Sequence, residues 1–241
     1  MHIDQPPARP VRVAGNRRRI WSVVIFVLIV SGVGIRAYRD LSRPEAWSYW
    51  KELYFSPSMT SSLVASVNLG GSGGGRPALV ISGTIGDASA SWFRTKLDEA
   101  HLVAGDVVLL SSPGGSVSQA VVMGEIIRSR GLVTAVGVAD ASGRLTPSYC
   151  ASACVLAYAG GKTRFGIEGS KLGVHRFTST TAVDDPVADT QRIAGMLLGY
   201  MTRMGVSSSV VEAMSQTRDI RWIGVKEAAA MNLVTDPVAR P

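Results

Sequence analysis

The apolar and polar positions of this chain fall into three stretches. Residues 20–35, IWSVVIFVLIVSGVGI, carry no charge and break their apolar surface only at Ser22 and Ser31. A core helix of a water-exposed domain keeps a polar face, so this stretch predicts a membrane span. As a helix its sixteen residues rise roughly 24 Å against a hydrocarbon core of about 30 Å. The flanking Arg17, Arg18, Arg19, Arg36 and Arg39 must therefore snorkel, or the bilayer thin locally. Behind it, Trp47, Tyr49, Trp50, Tyr54 and Phe55 alternate with charges. That pattern fits both a segment lying in the membrane interface and a small helix packed on the domain. Residues 68–75, NLGGSGGG, then read as a flexible linker that places a boundary near Arg76. They lack the lysine and hydroxyl of a phosphate-binding loop.

From residue 77 the period switches repeatedly between two and 3.6. Strands are predicted at 78–82, 106–110, 133–138, 163–165 and 171–174. Helices are predicted at 88–100, 117–130 (stopped by Gly131), 153–159 and 187–204. Strands separated by helices imply a mostly parallel, layered α/β domain. No internal repeat is visible.

A net charge of +7 and a pI near 9.8 raise the question of a nucleic-acid partner. Residues 1–19 carry five arginines against Asp4, a local +4 that leaves +3 for the other 222 residues. An evenly mixed domain surface without a basic stripe argues against nucleic acid. The tail reads instead as a topology signal. Arg9, Arg12, Arg17, Arg18 and Arg19 precede the span and Arg36, Arg39 and Arg43 follow it, which predicts a cytoplasmic N-terminus and a domain facing the periplasm or exterior. Gly32 and Gly34, followed by Ile35 and Arg36, make a poor signal-peptidase site, so an uncleaved anchor is expected. The division is a basic cytoplasmic tail (1–19), a transmembrane anchor (20–38), a juxtamembrane segment with a Gly-rich linker (39–76) and a catalytic domain (77–241).

Three elements suit acyl transfer, which needs a nucleophile, a base and donors for the developing oxyanion. Ser112-Pro113-Gly114-Gly115 sits where a strand turns into a helix, and paired glycines there can expose unpaired N–H groups. Taken alone, such a segment is often only a turn. Ser152 lies among small residues in Tyr149-Cys150-Ala151-Ser152-Ala153-Cys154, just before an apolar helix; on its own a serine there is more often a helix cap. His175 follows the strand at 171–174, whereas His2 lies in the basic tail and His101 at an exposed helix end. Open α/β sheets place their sites at such strand ends. Cys150 and Cys154 bracket Ser152; both on one helix would strain a disulfide, but Cys150 precedes the helix and leaves a bridge open. No second cysteine pair accompanies them, so no metal and no cofactor are expected.

In order and spacing these elements, together with residues 221–228 and 232–234, resemble the Clp protease proteolytic subunit and its membrane-linked or periplasmic relatives in the Clp/crotonase-like superfamily. The resemblance covers about residues 79–236. It implies a layered α/β fold of repeated β-β-α units behind an N-terminal transmembrane helix, and a serine peptidase acting on peptide or protein substrates. It implies Ser152 as nucleophile, His175 as base, Gly115 and Ala153 as oxyanion-hole donors, and Gly114 and Ser116 as main-chain partners of an extended substrate. Assembly into a homo-oligomer is implied as well.

Three departures stand out. The family's acid falls on Ile220 here, so the role passes to the neighbouring Asp219, with Asp184, Asp185 and Asp189 or a Ser-His dyad as alternatives. A polar loop at 140–148 precedes the nucleophile and is expected to cover or narrow the site. The membrane span is foreign to the soluble barrel-forming proteases. A lysine base, as in the related signal peptide peptidase A family, would fall to Lys162 or Lys171. The rival readings are a crotonase-like acyl-CoA enzyme, which would not need a serine paired with a histidine, and a non-catalytic membrane scaffold.

Overall fold

The computed structural model describes residues 15–70, 74–177 and 185–238; Asp184 lies outside them. The chain divides into two units, Met1–Ser48 and Tyr49–Pro241. The first holds helix α1 (Gly15–Leu41), in which Arg19–Leu41 is long and apolar enough to cross a membrane. These 23 residues rise about 34 Å, so the helix continues beyond the sixteen uncharged residues and covers the hydrocarbon thickness. Length and composition of this kind fit an anchor and a signal sequence alike.

In the order of the chain there follow α2 (Pro44–Tyr54), β1 (Met59–Val67), β2 (Arg76–Gly83), α3 (Ser89–Ala100), β3 (Val107–Ser111), α4 (Val117–Ser129) and β4 (Val133–Val136). Next come β5 (Val138–Ala139), β6 (Leu145–Thr146), β7 (Tyr149–Ala151), α5 (Cys154–Ala159), β8 (Arg164–Ile167) and β9 (Lys171–Val174). The chain closes with α6 (Pro186–Arg203), α7 (Ser208–Gln216), β10 (Arg221–Ile223), α8 (Val225–Ala230) and β11 (Asp236–Val238).

The main sheet has the order β1-β2-β3-β4-β8-β11, parallel throughout except for the β1–β2 pair. Strands covered on both faces read as continuous apolar runs, and β2 and β3 show why. Leu79, Ile81, Val108 and Leu110 face a core built with α3, α4 and α5, while Ala78, Val80, Val107 and Leu109 face a second core shared with β1. A smaller sheet, β10-β9-β7, carries the strand ends that matter for chemistry.

Two boundaries differ from the sequence reading. β1 lies within the stretch taken as juxtamembrane, yet it pairs with β2 from Met59↔Gly83 to Val67↔Arg76. The compact unit therefore begins at Tyr49 rather than at residue 77, and the Gly-rich segment joins two strands of one sheet. The aromatic segment is anchored by Glu52, which accepts from Ala88 N–H (3.1 Å) and from the hydroxyls of Ser58 (2.5 Å) and Ser89 (3.1 Å). Its carboxylate thereby takes one amide at the start of α3, and Tyr49 bonds Ser91 at 2.9 Å. Of the two readings of this segment, the helix packed on the domain is the one observed for residues 49–54.

α5 is held in the interior by Tyr200 Oη to Leu156 O (2.7 Å) and Thr134 Oγ1 to Tyr158 O (2.8 Å). Arg164, 2% exposed, donates to the carbonyls of Leu233, Gly161, Met204 and Asn232 at 2.8–3.1 Å. Burial lowers its pKa, and the four carbonyls replace the water its cation has lost.

Candidate active site

The site forms where β7 ends, β9 ends and the turn after β3 closes over both. Ser112 forms an isolated parallel bridge to Cys150, with Ser112 N–H donating to Tyr149 O at 3.1 Å and Ala151 N–H to Ser112 O at 2.9 Å. On the other side β7 runs parallel to β9 with Ala151↔Gly173 in register. Ser152 N–H extends that pairing by donating to Gly173 O at 2.7 Å. His175 lies two residues beyond Gly173, about 7 Å along the strand. The structure thus brings Ser152 and His175 to one corner, although no hydrogen bond between described residues joins their side chains. Such bonds are often long before substrate arrives.

Ser152 adopts φ 56°, a left-handed conformation that a non-glycine residue takes up only under constraint. α5 follows at once, with Val155 N–H donating to Ser152 O (3.1 Å). The result is a sharp strand-to-helix elbow that lifts the hydroxyl out of the strand. Gly114 packs onto it: a Cβ there would lie 2.8 Å from Ser152 Cβ and 2.9 Å from Ala153 N. Only glycine permits that approach.

Gly115, at φ 137°, is fastened from behind by Ile85. Ile85 N–H donates to Gly114 O (2.8 Å) and Ser116 N–H to Ile85 O (2.7 Å), and a Cβ on Gly115 would meet Ile85 O at 2.1 Å. Gly114 N–H is taken by Ser112 Oγ at 3.0 Å. Of three successive amides, Gly115 N–H alone lacks an acceptor among the described residues, and Ala153 N–H is in the same state. Two unpaired donors on either side of a raised serine can stabilise an oxyanion. The sequence reading overlooked Ile85, which sets this turn through backbone atoms alone and so leaves no side-chain signature. Gly114 and Ser116, expected as main-chain partners of a substrate, already use their N–H groups on Ser112 Oγ and Ile85 O, which leaves their carbonyls as the groups able to accept a further bond.

No hydrogen bond or ion pair between described residues joins the expected acid, Asp219, to His175. β10 pairs antiparallel with β9, Arg221↔Val174, and continuing the register by one residue sets Ile220 opposite His175. The Ile220 side chain lies on the same face, its Cγ2 2.8 Å from where a Gly173 Cβ would stand. Pairing then jumps, since Arg176 N–H donates to Thr217 O at 2.9 Å, so Arg218 and Asp219 bend out and are exposed. The alternatives are engaged elsewhere. Asp185 caps α6, accepting from Val187 and Ala188 N–H, and Asp189 pairs with Arg192 at 2.5 Å.

Neither lysine is placed as a base. Lys171 is exposed and pairs with Tyr149, three residues short of Ser152 and roughly 10 Å back along the strand. Lys162 is exposed before β8. Nor does the polar loop close over the site. Asp140 accepts from Ser142 and Arg144, bonds that hold its carboxyl below the ordinary range, with that from the Ser142 side chain foremost. The loop's tip at Gly143 meets Ser66 O of β1, and none of its hydrogen bonds reaches Ser152 or His175. Cys150 and Cys154, both fully buried, are joined in a disulfide across the elbow.

A mostly parallel sheet, a glycine turn clamped over a left-handed serine and a histidine at the neighbouring strand end define a mixed α/β fold of the ClpP type. Solved structures that share it include two of ClpP1. ClpP1 from Listeria monocytogenes matches with a TM-score of 0.54 at 16% identity, covering 68% of this chain and 92% of its own. A point mutant of ClpP1 from the same organism gives 0.53 at 16% identity, over 68% and 91%. No protein-family model matches the sequence, and no curated protein matches it either.

Proposed function

We propose that this protein is a serine peptidase, anchored in the cytoplasmic membrane by α1, that hydrolyses peptide bonds through Ser152 and His175. One observation carries the reading: Ser152 is held at positive φ with Gly114 packed against it, on a fold shared with ClpP1. His175 withdraws the serine proton as the hydroxyl attacks, and the N–H groups of Gly115 and Ala153 receive the oxyanion. The histidine returns the proton to the leaving amine, and water then releases the acyl-enzyme. Treatment of the full-length protein with a fluorophosphonate is the test. Covalent labelling with hydrolysis of extended peptides is the expected result; no labelling and no hydrolysis would leave the scaffold reading, and coenzyme A binding without labelling the acyl-CoA one.

With Ile220 opposite His175, the proposed unit is a dyad rather than a triad. Asp219→Asn should change single-turnover acylation by less than about 3-fold, whereas Ile220→Asp should raise it about 10-fold or more by holding the imidazole in its productive tautomer. A large loss in Asp219→Asn with no gain in Ile220→Asp restores Asp219 as the orienting acid.

The arginine excess before the apolar stretch 20–35 and the Cys150–Cys154 bond support a catalytic unit on the oxidising side of the membrane. A periplasmic-only reporter fused after Pro241 should be active. Activity of a cytoplasm-only reporter there reverses the orientation, and a mature N-terminus near Ile35 replaces the anchor with a signal peptide.

A further inference from the structure

We propose that the Cys150–Cys154 disulfide is a positioning device for the nucleophile, holding Ser152 and the Ala153 amide in reactive geometry rather than stabilising the fold as a whole. The proposal rests on the reading of Ser152 as the nucleophile. The bridge runs from the middle of β7 to the first residue of α5, and the residues it encloses, Ala151, Ser152 and Ala153, are the elbow itself.

Loop length separates the two roles. A cross-link stabilises a fold chiefly by removing freedom from the unfolded chain, and the gain grows with the loop it closes. Here the cysteines are only four positions apart, which puts the global effect at the low end. The local effect is different, because the enclosed Ser152 sits at φ 56°, a conformation that relaxes unless its surroundings over-determine it.

The flanking elements are short, three residues for β7 and six for α5. Besides the disulfide, the elbow is tied by Ala151 N–H to Ser112 O (2.9 Å), Ser152 N–H to Gly173 O (2.7 Å), Val155 N–H to Ser152 O (3.1 Å) and Leu156 N–H to Ala153 O (3.0 Å), none of which fixes the Ala153 N–H itself. The two candidate oxyanion donors are thus secured differently: Gly115 through Ile85, and Ala153 through the covalent tie between strand and helix. Without that tie α5 stays held by Tyr200 and Thr134, but the Ser152–Ala153 peptide between it and β7 can rotate, and a displacement of about 1 Å at a reacting group is enough to slow chemistry about 100-fold. Both cysteines are fully buried, so the bond is packed into the site's foundation and not presented to solvent.

The test is the full-length Cys150→Ala/Cys154→Ala protein, in which alanine fills the buried positions without introducing a polar group. Hydrogen exchange should be faster at the hydrogen-bonded Ser152 and Val155 amides than in the native protein, with β3 and α4 unchanged and circular dichroism and Tm close to native. Fluorophosphonate acylation should fall about 10- to 100-fold, in the maximal rate and not in the half-saturating concentration. Unchanged exchange at Ser152 and Val155 overturns the proposal whatever the labelling shows, and so does global unfolding of the variant, which would make the bond a stabiliser of the fold. If the native protein is not labelled at all, the peptidase reading fails while the exchange measurement still decides the positioning role. If the native protein is labelled at Ser152 and the double variant reacts at the native rate, the positioning role alone fails.

Discussion

Ser152→Ala is expected to remove fluorophosphonate labelling entirely and to bring peptide hydrolysis to background, with the fold intact. The hydroxyl makes no hydrogen bond to a described residue, so its loss leaves no buried partner unsatisfied. The retained Cβ keeps its packing against Gly114, where a glycine Cβ would stand 2.8 Å away. What disappears is the only group at the elbow able to form a covalent acyl intermediate. Ser152→Gly sharpens the test. It is equally inert, and because glycine adopts positive φ freely it should be more stable than Ser152→Ala by about 1 kcal/mol. Denaturant unfolding of the two variants reads the difference. A stabilised, inactive Ser152→Gly is the signature of strain held for function; undiminished labelling of Ser152→Ala would exclude this serine as the nucleophile.

His175→Ala is the second large effect. An unassisted serine hydroxyl is a weak nucleophile near neutral pH, and removing the base of a serine hydrolase typically lowers turnover by about 10⁴-fold or more. Single-turnover acylation should fall on that scale, while Lys162→Ala and Lys171→Ala stay near native. The lysines serve as controls because both are exposed and Lys171 sits at the opposite end of β9 from His175. Activity that survives His175→Ala and vanishes in one of the lysine variants would replace the histidine mechanism with a lysine one.

The parts of this site that the sequence reveals are those encoded locally. Paired glycines mark a turn that no other residue can make, a serine among small residues marks an elbow with little room, and an apolar run ending in histidine marks a buried strand reaching the surface. For the same reason the central strands and the long helices were legible: each carries its own period. β1 was hidden because its neighbours are aromatic on one side and glycine-rich on the other, and its pairing with β2 arises only when the two strands meet. The identity of the third catalytic group was also out of reach. Asp219 and Ile220 are adjacent in the chain and both precede β10, and which of them falls opposite His175 depends on where pairing with β9 breaks, at the bond from Arg176 to Thr217.

The amino-acid sequence by itself determined the apolar N-terminal helix, the alternating α/β order and the positions of serine, histidine and glycine turn, because each depends on residues close together in the chain. Tertiary structure decided the rest. It placed Ile85 behind the glycine turn, closed the disulfide under Ser152, put Ile220 opposite His175 and sent the polar loop toward β1. These depend on strand register and on backbone atoms meeting across long separations, and every residue offers the same backbone donor and acceptor, proline alone lacking the donor, so nothing in the side-chain order announces which pair will form.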